Sequence, residues 1–338
     1  MKYTTNHQST PTQNTLSQST LTQSPVTQGT VAQSTTAQTP LLMAQNLVLP
    51  SREEMLQRAP SVQHFWDSNR NLLADAWQEW EAIPSNQLNI ESDLLLDEKL
   101  RAAVTQAWRE PAIESEVENL WQEVSTDVYQ SQFFDPEQIV ELRNYLDKVA
   151  ASEIPMRPPY GIVLNRYGAM LDPRSEGYLA APSFQKLYRK IVDEYMRPIA
   201  RLLFPEIVGY DTQSFGFSIQ YQAGKDTSLR LHTDASSVTL NININLPDEE
   251  FAGSEVDFYD PSTGKVNRLS FKPGTAMIHR GNVAHAAQPI TSGTRSNLVL
   301  WLYGDRMQIP NGRNQNTSID AAQRWTTPTS KQDTFAPF

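Results

Sequence analysis

The chain has 338 residues, no cysteine and a net charge of −10, with no apolar run approaching the length of a membrane span. Such a length supplies one large domain or two ordinary ones with ample core. The missing cysteine excludes disulfides and thiolate chemistry, and the acidic balance argues against nucleic acid as the main partner. The N-terminus shows no basic stretch followed by an apolar one, so a secretory signal is not expected and the composition fits a cytoplasmic protein.

Residues 1 to 45 are rich in Thr, Gln and Ser, with a loose rhythm visible in TLSQS, TLTQS, PVTQG, TVAQS and TTAQT. Almost no large apolar side chain is available there to offset the entropy of ordering, so a disordered tether or solubilising tail is expected. Residues 46 to 124 read as a helical leader. Ser51 is placed to cap REEMLQR. Leu72, Leu73, Ala76, Trp77 and Trp80 make one apolar stripe at helical spacing, and Leu96, Leu100, Val104 and Trp108 another. These are packing faces, and His64 beside them is a structural or surface histidine.

From Ser125 the character changes. DVYQSQFF is strand-like, and Asp135 with Pro136 opens a helix through IVELRNYLDKVA. YGIVLNRYGAML is an extended segment on which Arg166 and Tyr167 could border a substrate mouth. The stripe from Phe184 to Leu203 is the strongest helix in the chain, and Pro198 should kink or divide it. After Pro205 the period switches to two. FGFSIQYQ, VTLNININL, SEVDFYD, GTAMIH and NLVLWLYG are strands separated by turn signals, which suggests a sandwich or barrel. Residues 311 to 338 lose periodicity and read as an irregular tail.

Within LRLHTDASSVTL, His232 and Asp234 share one strand face. With one more histidine they would form a two-histidine, one-carboxylate set, which occupies one face of an octahedral metal and leaves three positions open. Of the five histidines, His279 and His285 lie downstream. Arg295 stands ten residues after His285 at the start of a strand, where a hairpin could return it beside His285 and let its guanidinium grip a carboxylate. That spacing favours His285 as ligand and leaves His279 as a neighbour that could orient it or touch substrate. Tyr221 falls on an apolar face with Phe215, Phe217 and Ile219, where core packing and ligand contact are both open. The row Asn241, Asn243 and Asn245 either lines the pocket or faces water.

HTD, a single histidine about fifty residues on and an arginine ten later resemble the Fe(II)- and 2-oxoglutarate-dependent dioxygenases, in particular their prolyl and lysyl hydroxylase branch. LNRYGAMLD, RPIARLLFPE, the D-x-x-L-x-x-HTD-x-S-x-VTLN run and HRGNVAHAAQPITSGTRSNLVLW are similar to the group named 2-oxoglutarate and iron-dependent oxygenase domain-containing protein 2 and its plant relatives. The resemblance covers roughly residues 125 to 305, within an oxygenase domain placed at 125 to 310. It implies an α+β fold with a double-stranded β-helix (jelly-roll, cupin-like) core flanked by helices. It also implies Fe(II) on His232, Asp234 and His285, and 2-oxoglutarate held by Arg295 with Tyr221 and Asn241 as further cosubstrate contacts. O2 would be the co-reactant. The implied reaction hydroxylates an unactivated C–H bond of a peptide, protein side chain or small molecule, with release of succinate and CO2. Halogenating relatives lack the carboxylate, so Asp234 points to oxygen in the product. One departure stands out: Ser254 in FAGSEVDF replaces the second of two glycines usual in relatives, which alters the turn there. The alternative is a cupin-like metal-binding protein without oxygenase activity. Substrate and oligomeric state are not encoded in these patterns.

Overall fold

The computed structural model describes residues 38–57, 59–157, 168–175, 177–311, 319–329 and 331–337. Most of the Thr/Gln/Ser-rich segment and the Arg166–Tyr167 pair lie outside them. The stretch from Gln38 onward is one compact unit.

The first helices are α1 (Pro40–Gln45), α2 (Arg52–Gln57), α3 (Pro60–Glu81), α4 (Ser92–Leu95), α5 (Glu98–Arg109) and α6 (Ser115–Glu118). Helix α1 falls inside the segment expected to be disordered. Thr39 caps it, and Leu41 N–H donates to Glu79 of α3 at 2.8 Å; local capping and docking thus order the last residues before 46 despite the polar composition. Ser51 caps α2 as expected, exchanging hydrogen bonds with Glu54.

Strands β1 (Gln122–Ser125) and β2 (Val128–Gln132) follow, then α7 (Ile139–Ala151) and the short β3 (Ala169–Met170). Asp135 stabilises the turn before α7, accepting from Glu137 N–H at 2.9 Å, but the helix starts only at Ile139. The expected strong helix is α8 (Pro182–Lys190), a π-helical turn (Ile191–Met196) and α9 (Arg197–Leu203). Pro198 does not break it. Pro198 has no N–H to offer the Glu194 carbonyl, and the Trp108 indole donates to that carbonyl instead at 2.9 Å.

The remaining strands are β4 (Gln213–Gln222), β5 (Leu229–His232), β6 (Val238–Asn243), β7 (Ala252–Gly253), β8 (Val256–Tyr259), β9 (Val266–Leu269), β10 (Thr275–Arg280), β11 (His285–Ala287), β12 (Ile290–Ser292) and β13 (Thr294–Tyr303); α10 (Ala321–Arg324) closes the order. One sheet runs β1-β2-β10-β6-β13-β4-β3 and a second β5-β11-β8-β9, with β12 and β7 as a separate pair. All pairings are antiparallel. From β4 onward the chain passes repeatedly from one sheet to the other.

Period two sorts the large sheet's faces. Leu240, Ile242, Ile278, Leu298 and Leu300 join Trp77, Leu100 and Tyr188 in the main apolar core, so the helices cover that face. Buried leader side chains and the sheet's helix-facing side chains thus belong to one apolar core. The tail beyond 311 is likewise anchored: Trp325 is buried in the same core, and Asp333 pairs with Arg174 at 2.9 Å. The opposite face carries Thr239, Asn241, Asn243, Phe217, Tyr221, His279 and Arg295. No described helix is long and apolar enough to cross a membrane.

Candidate metal centre

Strand β5 ends on His232, and β11 begins on His285 directly opposite in the antiparallel register, with ring centroids 4.3 Å apart. Asp234 lies two residues past the strand, where its N–H donates to the Gly281 carbonyl at 2.8 Å. That turn packs on the one at Gly281, where a Cβ would stand 1.9 Å from the Ser236 carbonyl oxygen. Only glycine permits the approach. Asp234 Oδ2 accepts from the Thr239 hydroxyl at 2.6 Å, and Thr239 is also bonded to Ser236.

Each histidine ring is oriented by a backbone carbonyl. Nδ1 of His232 faces Arg230 O at 2.6 Å, that of His285 faces Val283 O at 3.0 Å, and that of His279 faces Arg280 O at 2.9 Å. A carbonyl can only accept, so Nδ1 is the nitrogen that donates there, which turns Nε2 towards the cavity. All three Nε2 atoms then face Asp234, at 3.6 Å for His232 and 3.9 Å for His279 and His285. One donor atom each from His232, Asp234 and His285 lies within 4.8 Å of the others, an arrangement able to close on a divalent ion. Burial pushes the His285 ring below its usual pKa, and burial followed by repulsion from His285 pushes His279 down to about 4. Both are neutral at physiological pH, as a metal ligand must be.

Arg295 on β13 pairs with Tyr221 on β4. Its guanidinium lies 4.5 Å over the Tyr221 ring and 5.2 Å over Phe271. It donates to the Ser254 carbonyl, while its Nε is buried with no partner. Burial lowers the guanidinium pKa, with Tyr221 and Glu255 opposing. Among the described residues no carboxylate is in ion-pair contact with it. A cation only 1% exposed, walled by aromatic rings and holding one neutral acceptor, is an uncompensated charge that an anion would satisfy.

The histidines, Asp234, Arg295, Tyr221 and Asn241 line one cavity, with Phe217, Val256, Phe258 and Val299 among its apolar walls. The structure thus brings His232, Asp234, His285, His279, Arg295, Tyr221 and Asn241 together, while Arg166 and Tyr167 lie outside the described residues. The route differs from the hairpin expected for Arg295. β11 and β13 belong to different sheets, because Pro289 to Gly293 carries the chain across through β12, and the two strands meet only across the cavity. The alternative that the asparagine row faces water is overturned. Asn243 and Asn245 are buried and bonded to each other at 3.0 Å, and Asn297 donates to Asn241 at 2.5 Å. Only Asn241 of the three reaches the cavity. Sequence reasoning missed Thr239, Phe258 and Phe271. For Thr239 a signal existed, since it shares the Asn241 face at period two.

No family model matches the chain. Over 157 residues it is 34% identical to the 2-oxoglutarate and iron-dependent oxygenase domain-containing protein ICU11 of Arabidopsis thaliana, covering 43% of this chain and 36% of that protein. Over 186 residues it is 31% identical to 2-oxoglutarate and iron-dependent oxygenase domain-containing protein 2 of Xenopus tropicalis, covering 52% and 48%. Over 120 residues it is 31% identical to procollagen-lysine,2-oxoglutarate 5-dioxygenase 1 of Rattus norvegicus, covering 33% and 15%. The chain thus spans less than half the length of each of these relatives, all named as 2-oxoglutarate-dependent oxygenases.

Proposed function

We propose that the protein is an Fe(II)- and 2-oxoglutarate-dependent oxygenase, built on a double-stranded β-helix, that hydroxylates a C–H bond of a peptide, protein side chain or small molecule. The observation that carries this reading is the buried Arg295, paired with no carboxylate among the described residues, sharing one cavity with the His232, Asp234 and His285 donors. The repeated passage of the chain between two antiparallel sheets supports the fold assignment.

His232 Nε2, an Asp234 oxygen and His285 Nε2 would hold the iron, and Arg295, flanked by Tyr221, would hold the distal carboxylate of 2-oxoglutarate. When bound, iron and 2-oxoglutarate supply the oxidant from O2, with succinate and CO2 as by-products. The protein's own contribution is placement. The carbonyls of Arg230 and Val283 fix the ring tautomers, Thr239 orients the Asp234 carboxylate, and Phe217, Phe258 and Val299 keep bulk water from the reacting atoms. With Asp234 holding the metal there is no vacancy for halide, which favours hydroxylation.

The test is succinate formation from 2-oxoglutarate by protein loaded with Fe(II). We expect turnover in the wild type and a loss of about a hundredfold or more in Asp234→Ala and in Arg295→Ala. Turnover intact in either variant would show the site assignment to be wrong. Metal binding without any succinate would instead identify a cupin-like metal-binding protein. Fe(II) affinity should collapse in His285→Ala and largely survive in His279→Ala. The substrate is sought by mass spectrometry as a gain of one oxygen atom.

A further inference from the structure

Between β7 and β8 the backbone takes two consecutive left-handed residues, Gly253 at φ +78° and Ser254 at φ +61°. For Gly253 the reason is steric, because a Cβ there would stand 2.3 Å from the Pro289 carbonyl oxygen. Ser254 has no such reason to be anything but glycine. A side chain in this region costs energy that glycine avoids, and no hydrogen bond to the serine hydroxyl compensates for it. Its residue is only 1% exposed, and its hydroxyl is buried without a hydrogen-bond partner. The chain therefore carries two unfavourable features at one position, a strained backbone and an unsatisfied buried hydroxyl.

Both backbone groups of Ser254 are fixed. Its N–H donates to the Pro289 carbonyl at 3.2 Å, and its carbonyl accepts from the Arg295 guanidinium. The hydroxyl is four bonds from that carbonyl oxygen, on the residue that the guanidinium itself contacts. Arg295 Nε is itself buried and unpartnered. An unsatisfied hydroxyl therefore belongs to the residue whose carbonyl the only partly satisfied guanidinium holds. Strain maintained at a site that nothing in the fold demands is a mark of function.

We propose that Ser254 is a cosubstrate-positioning residue of this chain, its hydroxyl donating to the distal carboxylate of the dicarboxylate that Arg295 holds. This rests on the 2-oxoglutarate reading above and extends it. One bound carboxylate would satisfy both orphaned groups, accepting from the guanidinium and the hydroxyl together.

The test separates the hydroxyl from the backbone. Calorimetric titration with Mn(II) present compares 2-oxoglutarate with 2-oxopentanoate, the same chain bearing a methyl in place of the distal carboxylate. Ser254→Gly and Ser254→Ala should each weaken 2-oxoglutarate by about tenfold or more and leave 2-oxopentanoate unchanged. Ser254→Gly should at the same time raise the melting temperature of the apoprotein by about 2 °C, since the strain is relieved. Stability and affinity moving in opposite directions is the signature that a merely structural serine would not give. Unchanged 2-oxoglutarate affinity in both variants, or equal losses for the two ligands, would overturn the proposal. Arg295→Ala tells the two layers apart. If it abolishes the preference for 2-oxoglutarate while the Ser254 variants keep it, the cosubstrate reading stands and the serine's role falls. If the wild type shows no preference between the ligands, the cosubstrate reading itself fails.

Discussion

The Thr239 hydroxyl donates to Asp234 Oδ2 at 2.6 Å and is held in turn by Ser236. That leaves Oδ1, 3.6 Å from His232 Nε2, as the less encumbered oxygen for a metal. Thr239→Val keeps the shape and removes the donor, so Fe(II) affinity should fall by about ten- to a hundredfold in a chelator competition; unchanged affinity would show that Asp234 needs no such support. His279 gives a pH prediction. Its folded pKa of about 4 lies below the ordinary 6.5, so protonation favours the unfolded chain. Its contribution to apoprotein stability is fully present above pH 6.5. It is lost as pH falls towards 4, on the order of 3 kcal/mol in all. In urea titrations His279→Gln should flatten that acid limb, and an equally steep limb would place the titration elsewhere. His232, Asp234, His285 and Arg295 were legible because residue type and spacing carry their chemistry. Thr239, Phe271 and the lack of a described carboxylate paired with Arg295 were not, since they depend on strands that meet only after folding.

At the scale of elements, hydrophobic period located most helices and strands but not how they continue or pair. The stripe from Phe184 to Leu203 shows a helix and Pro198 suggests an interruption. What the fold supplies is a π-helical turn just before Pro198 and a donor from α5 for the Glu194 carbonyl. No local pattern announces that Trp108 will supply it. Trp108→Phe should therefore cost about 1 kcal/mol in denaturant unfolding, from a hydrogen bond lost at fixed aromatic bulk. A second substitution, Pro198→Ala, returns an N–H to the helix and should recover part of that loss; additive losses would mean that the carbonyl had found another donor. Strand pairing posed the same difficulty. Arg295 and His285 were expected in one hairpin, yet β12 pairs with β7 and carries the chain across to the other sheet. Period two assigns a face to each side chain, but only the partner strand decides which sheet it joins.

At the scale of the whole molecule, the leader and the C-terminal segment depend on each other. Trp325 is buried against Trp108, with centroids 5.6 Å apart, and its indole donates to Glu114 at 3.0 Å; Arg324 pairs with the same carboxylate. Arg201, joined to Asp211 at 2.5 Å, also donates to the carbonyl of Thr326 at 2.7 Å and that of Arg324 at 3.1 Å. Deleting residues 319–338 would strip these acceptors from a buried guanidinium and open the core at Trp108, which lies on the face of the large sheet opposite the cavity. We expect the truncated apoprotein to lose several kcal/mol of stability, with Trp325→Ala alone costing about 3 to 5 kcal/mol. Because the two sheet faces are separate, metal affinity measured well below the melting temperature should change far less than stability does. If truncation abolished Fe(II) binding while the fold remained intact by circular dichroism, the C-terminal segment would be part of the site and not only a brace for the helices behind it. If truncation left stability unchanged, the buried contacts of Trp325 and Arg201 would be worth nothing, against all that their burial implies.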